Sequence, residues 1–221
     1  MQNNIYLSDT ITQMTKRDEL LKLKAEMEKD DSLPLKYGAN KLVFGSGNPE
    51  TKILFIGEGP GFNEDQQGIP FVGAAGNLLN KVLETVNLTR EKTSHDGKEA
   101  IFITNVVHHR PPNNRDPEPV ELLSYGKYLD KMIEIINPKM IVTLGRFSMG
   151  KFLPGEKISG IHGKKFMVKW HSQDLIVVPM YHPAAALRNG NVMNQFKEDF
   201  LKLPKYFEEV NKPEIKQMNI L

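Results

Sequence analysis

The sequence contains no cysteine among its 221 residues. This absence excludes disulfide bonds, thiolate nucleophiles and metal sites whose ligands are cysteines. The sequence also lacks any apolar run near the roughly 20 residues that a helix needs to cross a bilayer. Residues 1–17 are polar and mixed in charge, unlike a secretory signal. Together these features predict a cytoplasmic protein that does not associate with a membrane.

The sequence also has almost no excess of one sign of charge. The formal net charge is only +2, which does not by itself indicate a nucleic-acid partner. Two stretches, 108–115 and 161–172, contain basic residues and no acidic ones. A local basic surface of this kind can bind phosphate groups, although solvated lysines in ordinary loops would give the same pattern.

The apolar pattern predicts an α/β fold. Predicted strands cover residues 53–56, 101–107, 140–144 and 175–180, and residues 164–170 could add a hairpin strand. Predicted helices cover residues 10–30, 75–86, 119–136, 147–153 and 191–206. Because helices of this length alternate with the strands, the strands should form a parallel sheet with right-handed crossovers.

The chain is long enough to bury a substantial core, and its content of 39% hydrophobic and 25% charged residues is typical of a globular protein. No change in composition along the sequence marks a domain boundary. We expect a single domain over residues 1–221, in which residues 1–40 form a helical extension and residues 213–221 a flexible tail.

The turn after the first predicted strand is the most unusual segment. Residues 57–61 read Gly-Glu-Gly-Pro-Gly, so that the carboxylate of Glu58 lies between two glycines. The segment has neither the Lys-Ser/Thr ending of a P-loop nor the spacing of a dinucleotide-binding motif. It is therefore a candidate active-site loop, with a glycine-rich phosphate-binding loop as the alternative.

Polar residues accompany the other predicted strands too. Asn105 lies in the second strand, Gly145-Arg146 follow the third and His182 follows the fourth. The carboxyl ends of parallel strands meet at one edge of a sheet, where open α/β folds bind their ligands. We therefore expect Glu58, Asn105 and His182 to converge at that edge.

Each of these residues also has a purely structural interpretation. A buried Asn105 could satisfy its amide with backbone groups instead of a ligand, and His182, which precedes Pro183, could begin a helix. Phe71 lies in a loop and could be either a core residue or a stacking surface for a flat base. Residues 184–188 combine small residues with a leucine and an arginine, and could insert into a narrow groove.

The histidines give no indication of a metal site. His108 and His109 are adjacent, so in a strand they point to opposite faces and cannot bind one metal together. The spacing of histidines and carboxylates elsewhere matches no zinc site. We predict no metal.

Seven short motifs stand in one order along the chain. They are Gly57–Gly61, Glu64-Asp65, Gly68–Gly73, Asn105–Val107, Arg110–Pro112, Asn114-Arg115 and Tyr181–Ala184. Each motif is weak alone, but the combination, over roughly residues 42–203, resembles the family 4 uracil-DNA glycosylases of the uracil-DNA glycosylase superfamily. The resemblance implies a three-layer α/β/α sandwich around a four-stranded parallel sheet, in agreement with the strand pattern.

The resemblance also implies a reaction. A base inside a duplex is out of reach, so such an enzyme flips the nucleotide out of the stack and hydrolyses uracil from DNA to leave an abasic site. The implied catalytic residues are Glu58, Glu64 and His182, with Glu58 either orienting the attacking water or stabilising the positive sugar. The implied uracil-binding residues are Gly59, Phe71, Asn105 and His182. The implied DNA-binding residues are Arg110, Arg115, Lys164, Leu187 and Arg188.

The chain departs from this family in one respect. The family usually carries four cysteines that hold an iron–sulfur cluster, at positions that correspond here to Asp30, Leu33, His109 and Tyr125. Without cysteine that cluster cannot form, so we expect no cofactor and infer that side-chain packing has replaced a structural cluster. The expected partner is uracil-containing DNA, bound by a monomer.

Functions of other classes remain open at this point. A relative that has lost activity would bind uracil or abasic DNA without turnover. A glycosylase for another deaminated base, such as hypoxanthine, would release a different lesion, and a free-nucleoside hydrolase would cleave deoxyuridine itself. The presence of Glu58 and Asn105 favours uracil.

Overall fold

The structure, a computed structural model, describes residues 14–91 and 97–211. The strands are β1 (Ser46–Gly47), β2 (Ile53–Gly57), β3 (Leu88–Thr89), β4 (Glu99–Ala100), β5 (Phe102–Asn105), β6 (Met140–Leu144), β7 (Phe166–Trp170) and β8 (Gln173–Met180). The α-helices are α1 (Lys16–Lys29), α2 (Phe62–Gln67), α3 (Ala74–Thr85), α4 (Pro119–Ile136), α5 (Arg146–Phe152), α6 (Ile158–Ile161), α7 (Pro183–Arg188), α8 (Gly190–Phe200) and α9 (Leu203–Asn211). Short 3-10 helices lie at Lys36–Gly38 and Pro112–Asn114.

As far as the structure describes the chain, the central sheet has six strands in the order β1-β5-β2-β6-β8-β7. The inner four strands, β5, β2, β6 and β8, are parallel and correspond to the four predicted strands. The predicted number of four is too low, because β1 and β7 extend the sheet as antiparallel edge strands. β7 is the hairpin strand that residues 164–170 suggested, and β3 and β4 form a separate two-stranded sheet.

Helices flank the sheet, and alternate residues of the inner strands contribute to two hydrophobic clusters. Ile53 and Phe55 of β2 pack in one cluster with residues of α3 and α8. Leu54 and Ile56 pack in the other cluster with residues of α1 and α4. Every residue of β2 is buried, which explains why this parallel strand reads as a continuous apolar run.

The helix boundaries follow local capping signals. α4 covers the predicted residues, begins after Glu118 with Pro119 in its first turn, and ends where Asn137 adopts a left-handed conformation with φ of 48°. The predicted terminal helix 191–206 is instead two helices, α8 and α9. Pro204 explains the break, because proline lacks the N–H that a continuous helix would need there.

The two ends of the expected domain are only partly covered. α1 lies in the predicted helical extension at 1–40, and residues 1–13 lie outside the described residues. The predicted tail at 213–221 also lies outside them. Within residues 14–91 and 97–211, no helix has both the length and the apolar character needed to span a membrane.

Candidate active site

A cavity of about 480 Å³ opens at the edge of the sheet where the four parallel strands end. The segments after β2, β6 and β8 and the last residue of β5 contribute to its lining. The cavity brings together Glu58, Gly59, Glu64, Phe71, Asn105 and His182. Backbone hydrogen bonds continue past the strands here, since Val106 donates its N–H to the carbonyl of Gly57 at 3.1 Å.

Glu58 follows β2 and is half-buried in the cavity wall. Its backbone carbonyl accepts a hydrogen bond from the N–H of Val107 at 3.2 Å, which fixes the start of the loop. Burial raises the pKa of Glu58, the nearby carboxylate of Asp116 raises it further, and Arg146 and Arg188 oppose the rise. The carboxylate therefore holds a proton more readily than an exposed glutamate does.

Asn105 is the last residue of β5 and is 1% exposed. Its Oδ1 atom is buried and has no hydrogen-bond partner within the described residues. Buried side-chain oxygens are rarely left without a donor, because the desolvation cost is then not recovered. Since the side chain also lines the cavity, Oδ1 is available to an N–H donor on a bound molecule.

Phe71 is held in a left-handed backbone conformation, with φ of 55°, that non-glycine residues seldom adopt. Its carbonyl accepts a hydrogen bond from Arg90 Nη1 at 2.7 Å, and Arg90 also donates to the carbonyl of Pro70. Glu64 Oε1 accepts the N–H groups of residues 72–73, each at 2.8 Å. These contacts fix the buried ring at the cavity wall.

Gly57 is the point where Phe71 and Asn105 meet the backbone of β2. A Cβ atom at this position would lie closer than 3.0 Å to Asn105 Oδ1 and to the Phe71 ring, a separation that real Cβ atoms essentially never show. Both neighbours are buried side chains, so neither can move away freely. Glycine is therefore required here by close approach.

Replacing Gly57 by Ala should displace Asn105 and Phe71 together. Because a displacement of about 1 Å in a site can cost about 10²-fold, we expect kcat/KM for the reaction proposed below to fall by about that factor. Steady-state kinetics on an oligonucleotide substrate measures the change. Gly150→Ala is the matched control, because no described residue outside its own helix turn lies within 4 Å of a Cβ atom there. Unchanged activity of Gly57→Ala would contradict the packing described here.

His182 directly precedes α7, which begins at Pro183, and is its N-terminal cap. Its Nδ1 atom accepts the N–H of Ala184 at 3.2 Å. Burial lowers the pKa of His182 to about 4, assisted by Arg188 and opposed by Glu64, so the ring is neutral at pH 7. A neutral ring whose Nδ1 accepts a hydrogen bond carries its proton on Nε2. His182 therefore presents an N–H donor, and its ring centroid lies 5.8 Å from that of Phe71.

Two of the predicted DNA-binding residues line the cavity. Arg115 donates from both terminal nitrogens to the Glu121 carboxylate, at 2.9 and 2.6 Å. Arg188, at the end of α7, donates from Nε to the carbonyl of Ala184 at 3.0 Å. Both arginines thus stand at the cavity, already oriented by protein oxygens.

The other three predicted DNA-binding residues are described but lie outside the lining. Arg110 Nε donates to Oδ1 of Asn114, a lining residue, at 2.7 Å. Lys164 is exposed and donates to the carbonyl of Gly160 at 2.8 Å. Residues 184–188 are part of helix α7, and Leu187 is 48% exposed on it.

Three residues at the site had no role assigned from the sequence. Arg90 fixes the Phe71 loop, and Asp116 and Arg146 form an ion pair in the cavity lining. The Arg146 guanidinium also lies 4.3 Å from the centroid of the Phe147 ring. The position of Arg146 after a strand end is a signal visible in the sequence, whereas Arg90 and Asp116 are recognisable only from their contacts.

The Uracil DNA glycosylase superfamily model matches residues 44–212, which cover most of the chain. The chain belongs to the uracil-DNA glycosylase superfamily. The Type-4 uracil-DNA glycosylase of Sulfurisphaera tokodaii is 45% identical over 192 residues, covering 84% of each chain. That of Saccharolobus solfataricus is 44% identical, covering 73% of this chain and 74% of its own. That of Thermotoga maritima is 40% identical, covering 80% and 88%.

This member of the uracil-DNA glycosylase superfamily has Asp30, Leu33, His109 and Tyr125 at the four positions that correspond to the family's cluster cysteines. Leu33 and Tyr125 are almost completely buried, and the Tyr125 hydroxyl lies 2.8 Å from Nδ1 of buried His109. Asp30 accepts a hydrogen bond from Lys127 at 2.8 Å. Because none of these four residues supplies a thiolate, they do not fit an iron–sulfur cluster, which is held by cysteine thiolates. Within the described ranges, no group of three or more His, Cys, Asp or Glu is arranged to hold a metal ion.

Proposed function

We propose that this protein flips uracil out of DNA and hydrolyses its N-glycosidic bond, leaving an abasic site. The observation that carries the proposal is the buried Oδ1 of Asn105, which has no partner in the described part of the chain and lies in the same cavity as the N–H donor of neutral His182. Membership of the superfamily and the names of the relatives support uracil as the base. The cavity volume of about 480 Å³ is in the range of small-ligand sites.

Recognition of the base follows from donor and acceptor positions. The flipped uracil lies against Phe71, its N3–H donates to Asn105 Oδ1, and its O4 accepts from the amide nitrogen of Asn105. Cytosine has an amino group in place of O4 and no proton on N3. It would therefore leave both ends of the buried amide mismatched, which is the kind of discrimination that can reach several orders of magnitude.

Cleavage breaks the bond between the sugar C1′ and the base N1, and the bonding electrons leave with the base. Negative charge then develops on uracil O2, where the Nε2–H of His182 donates a hydrogen bond. Positive charge develops on the sugar, where the Glu58 carboxylate stabilises it or orients the water that adds to C1′. Both roles require Glu58 to be ionised. As the water oxygen bonds to C1′, one of its O–H bonds breaks, and a proton is taken up by the uracil anion, so that the products are neutral uracil and an abasic sugar. Glu64 supports the site by holding the backbone that follows Phe71.

The DNA strand is held by basic residues around the cavity. Arg115 and Arg188 line it and contact the backbone phosphates beside the flipped nucleotide. Arg110 and Lys164 bind the strand farther out, and exposed Leu187 on α7 fills the gap that the flipped base leaves. Gly59 allows the backbone to approach the base closely.

Further parts of the proposal concern the protein as a whole. The chain forms one glycosylase domain with a three-layer α/β/α arrangement, and α1 belongs to an N-terminal extension of that domain. It acts as a cytoplasmic monomer on uracil-containing DNA. Hydrolysis by the residues named above requires no cofactor.

The pH dependence of the reaction should respond to the ion pair beside Glu58. Activity requires the ionised carboxylate of Glu58, so kcat/KM should fall as the pH drops toward the pKa of this group. Because that pKa is raised, the fall should occur at a higher pH than for an exposed glutamate. Asp116→Asn removes a repelling charge and should move this acid limb to lower pH. Arg146→Gln removes an attracting charge and should move it to higher pH. Profiles of kcat/KM between about pH 4 and pH 8 measure both shifts.

A control variant separates this local effect from a change in total charge. Lys131→Gln removes a positive charge whose partner, Glu26, lies in the contact between α1 and α4. It should leave the acid limb unchanged. Shifts of Asp116→Asn and Arg146→Gln in the same direction would contradict the assignment to Glu58, and high salt should reduce both shifts because the pair is exposed.

The substrate is tested with a panel of oligonucleotides and nucleosides. Each oligonucleotide carries one deoxyuridine, deoxyinosine, deoxycytidine or thymidine, in single- and double-stranded form, and free deoxyuridine is included. We expect free uracil from the deoxyuridine oligonucleotides only, with no strand cleavage before alkali treatment. Release of hypoxanthine alone would identify a different glycosylase, and cleavage of free deoxyuridine a nucleoside hydrolase. Binding without any release would indicate a non-catalytic relative.

A further inference from the structure

Phe62 is an exposed aromatic residue at the rim of the cavity. It is the first residue of α2, and 57% of its surface is accessible. The preceding residue, Gly61, lines the cavity. An exposed phenylalanine leaves the stabilisation available from burial unused, and an exposed apolar surface beside a binding site is a candidate contact for the ligand.

A cation accompanies the ring. The Arg110 guanidinium carbon lies 5.2 Å from the Phe62 ring centroid, within the range of a cation–π contact. The Nε of Arg110 also donates a hydrogen bond of 2.7 Å to Oδ1 of Asn114, which lines the cavity. The pair therefore joins the segment after β2 to the segment after β5 at the cavity rim.

The helix that carries Phe62 is anchored on the protein side. Asp65 is 1% exposed, and its Oδ1 accepts the backbone N–H groups of Asn40 at 2.8 Å and Lys41 at 3.3 Å. Glu64 binds the backbone at residues 72–73, as described above. The buried Asp65 and the half-buried Glu64 thus fix α2 while Phe62 stays accessible. Little conformational entropy is therefore lost when a ligand contacts the ring.

We propose that Phe62 and Arg110 form a stacking platform for the nucleobase next to the flipped uracil in the substrate strand. The inference rests on the proposed function, which brings that strand to the cavity rim. Every nucleobase has a flat π-surface, so any of the four bases can stack on an aromatic ring. Arg110 adds positive charge beside the phosphates. The platform holds the neighbouring base while the target base leaves the stack.

A double-mutant cycle between protein and DNA tests the platform. The oligonucleotides carry 2′-fluoro-deoxyuridine, which resists cleavage, with either a normal base or an abasic tetrahydrofuran unit on its 5′ or 3′ side. Phe62→Ala should raise Kd about fivefold or more when the neighbouring base is present. It should have little effect when that base is missing on the stacked side. Phe62→Tyr should keep the affinity, and Phe62→Leu, which keeps the apolar bulk without the ring, should lose it.

Two controls make the outcome decisive. Leu123→Ala removes an exposed leucine on α4 that is 79% accessible and lies outside the cavity lining, and should leave Kd unchanged. Three results would each overturn the platform. Phe62→Ala could weaken binding equally for the normal strand and for the strands with an abasic unit on either side, it could leave Kd unchanged, or Phe62→Leu could keep full affinity. Binding to the same strand with thymidine in place of 2′-fluoro-deoxyuridine separates the two proposals. If the cycle shows coupling between Phe62 and the neighbouring base on the thymidine strand, but the protein releases no uracil from a deoxyuridine strand, the platform stands and the glycosylase activity fails.

Discussion

Replacing His182 by Ala should lower kcat for uracil release by about 10²- to 10³-fold and change KM far less, because the lost hydrogen bond acts on charge that develops only in the transition state. The Nε2–H of the neutral ring is the donor to uracil O2 in our proposal. The pKa of about 4 keeps that donor neutral over the whole physiological range. Single-turnover rates and KM on a deoxyuridine oligonucleotide measure the two effects separately.

The structural role of His182 requires a second variant. Its Nδ1 caps α7 by accepting the Ala184 N–H, and loss of a cap costs about 1 kcal/mol of stability. His182→Asn provides an oxygen that can still cap the helix but no N–H at the position of Nε2. We expect this variant to keep the stability of the parent and to be as slow as His182→Ala. Parental activity of His182→Asn would show that only the cap matters.

Replacing Asn105 by Ala should lower kcat/KM by about 10²-fold or more, since both hydrogen bonds to the uracil edge are lost and the base is left unpaired in a buried site. Asn105→Asp should fail as well, because an ionised carboxylate cannot donate to O4. Competition between uracil and cytosine oligonucleotides measures how much of the discrimination is lost.

Thermodynamic stability distinguishes this role from a structural one. Oδ1 of Asn105 makes no hydrogen bond within the described residues, so its removal breaks none there. Urea unfolding of Asn105→Ala should therefore show a free energy of unfolding close to that of the parent, apart from a small packing loss of about 1 kcal/mol. A destabilisation of several kcal/mol with parental discrimination would identify Asn105 as a structural residue.

The inner strands were predictable because a strand that is buried on both faces consists almost entirely of apolar residues. All residues of β2 and β6 are buried, and both segments read as such runs. β1 has no comparable signal, since its two residues, Ser46 and Gly47, become a strand only by pairing with β5. The missing strand in the predicted count was therefore set by tertiary contacts.

The same division holds at the site. Glu58, Asn105 and His182 could be grouped in advance because topology alone delivers strand ends to one edge. Arg90 could not, because it contacts Phe71 across 19 residues of sequence through backbone carbonyls that carry no side-chain signature. The exposed ion pair of Asp116 and Arg146 depends on the approach of two segments 30 residues apart.

Two of the positions that correspond to the family's cluster cysteines, His109 and Tyr125, carry a buried, hydrogen-bonded pair of side chains. The Tyr125 hydroxyl is uncharged, because burial raises its pKa. Burial also lowers the pKa of His109 to about 4, so the hydrogen-bonded pair is uncharged at pH 7. The pair therefore places no charge in this buried part of the protein.

The most direct measurement is single-turnover release of uracil by protein whose iron content has been determined. The substrate is an oligonucleotide with one deoxyuridine, mixed with a stoichiometric amount of the full chain. Our account predicts free uracil and an intact abasic strand from iron-free protein. A preparation that is folded and binds the oligonucleotide, but releases no uracil even at this ratio, would contradict it.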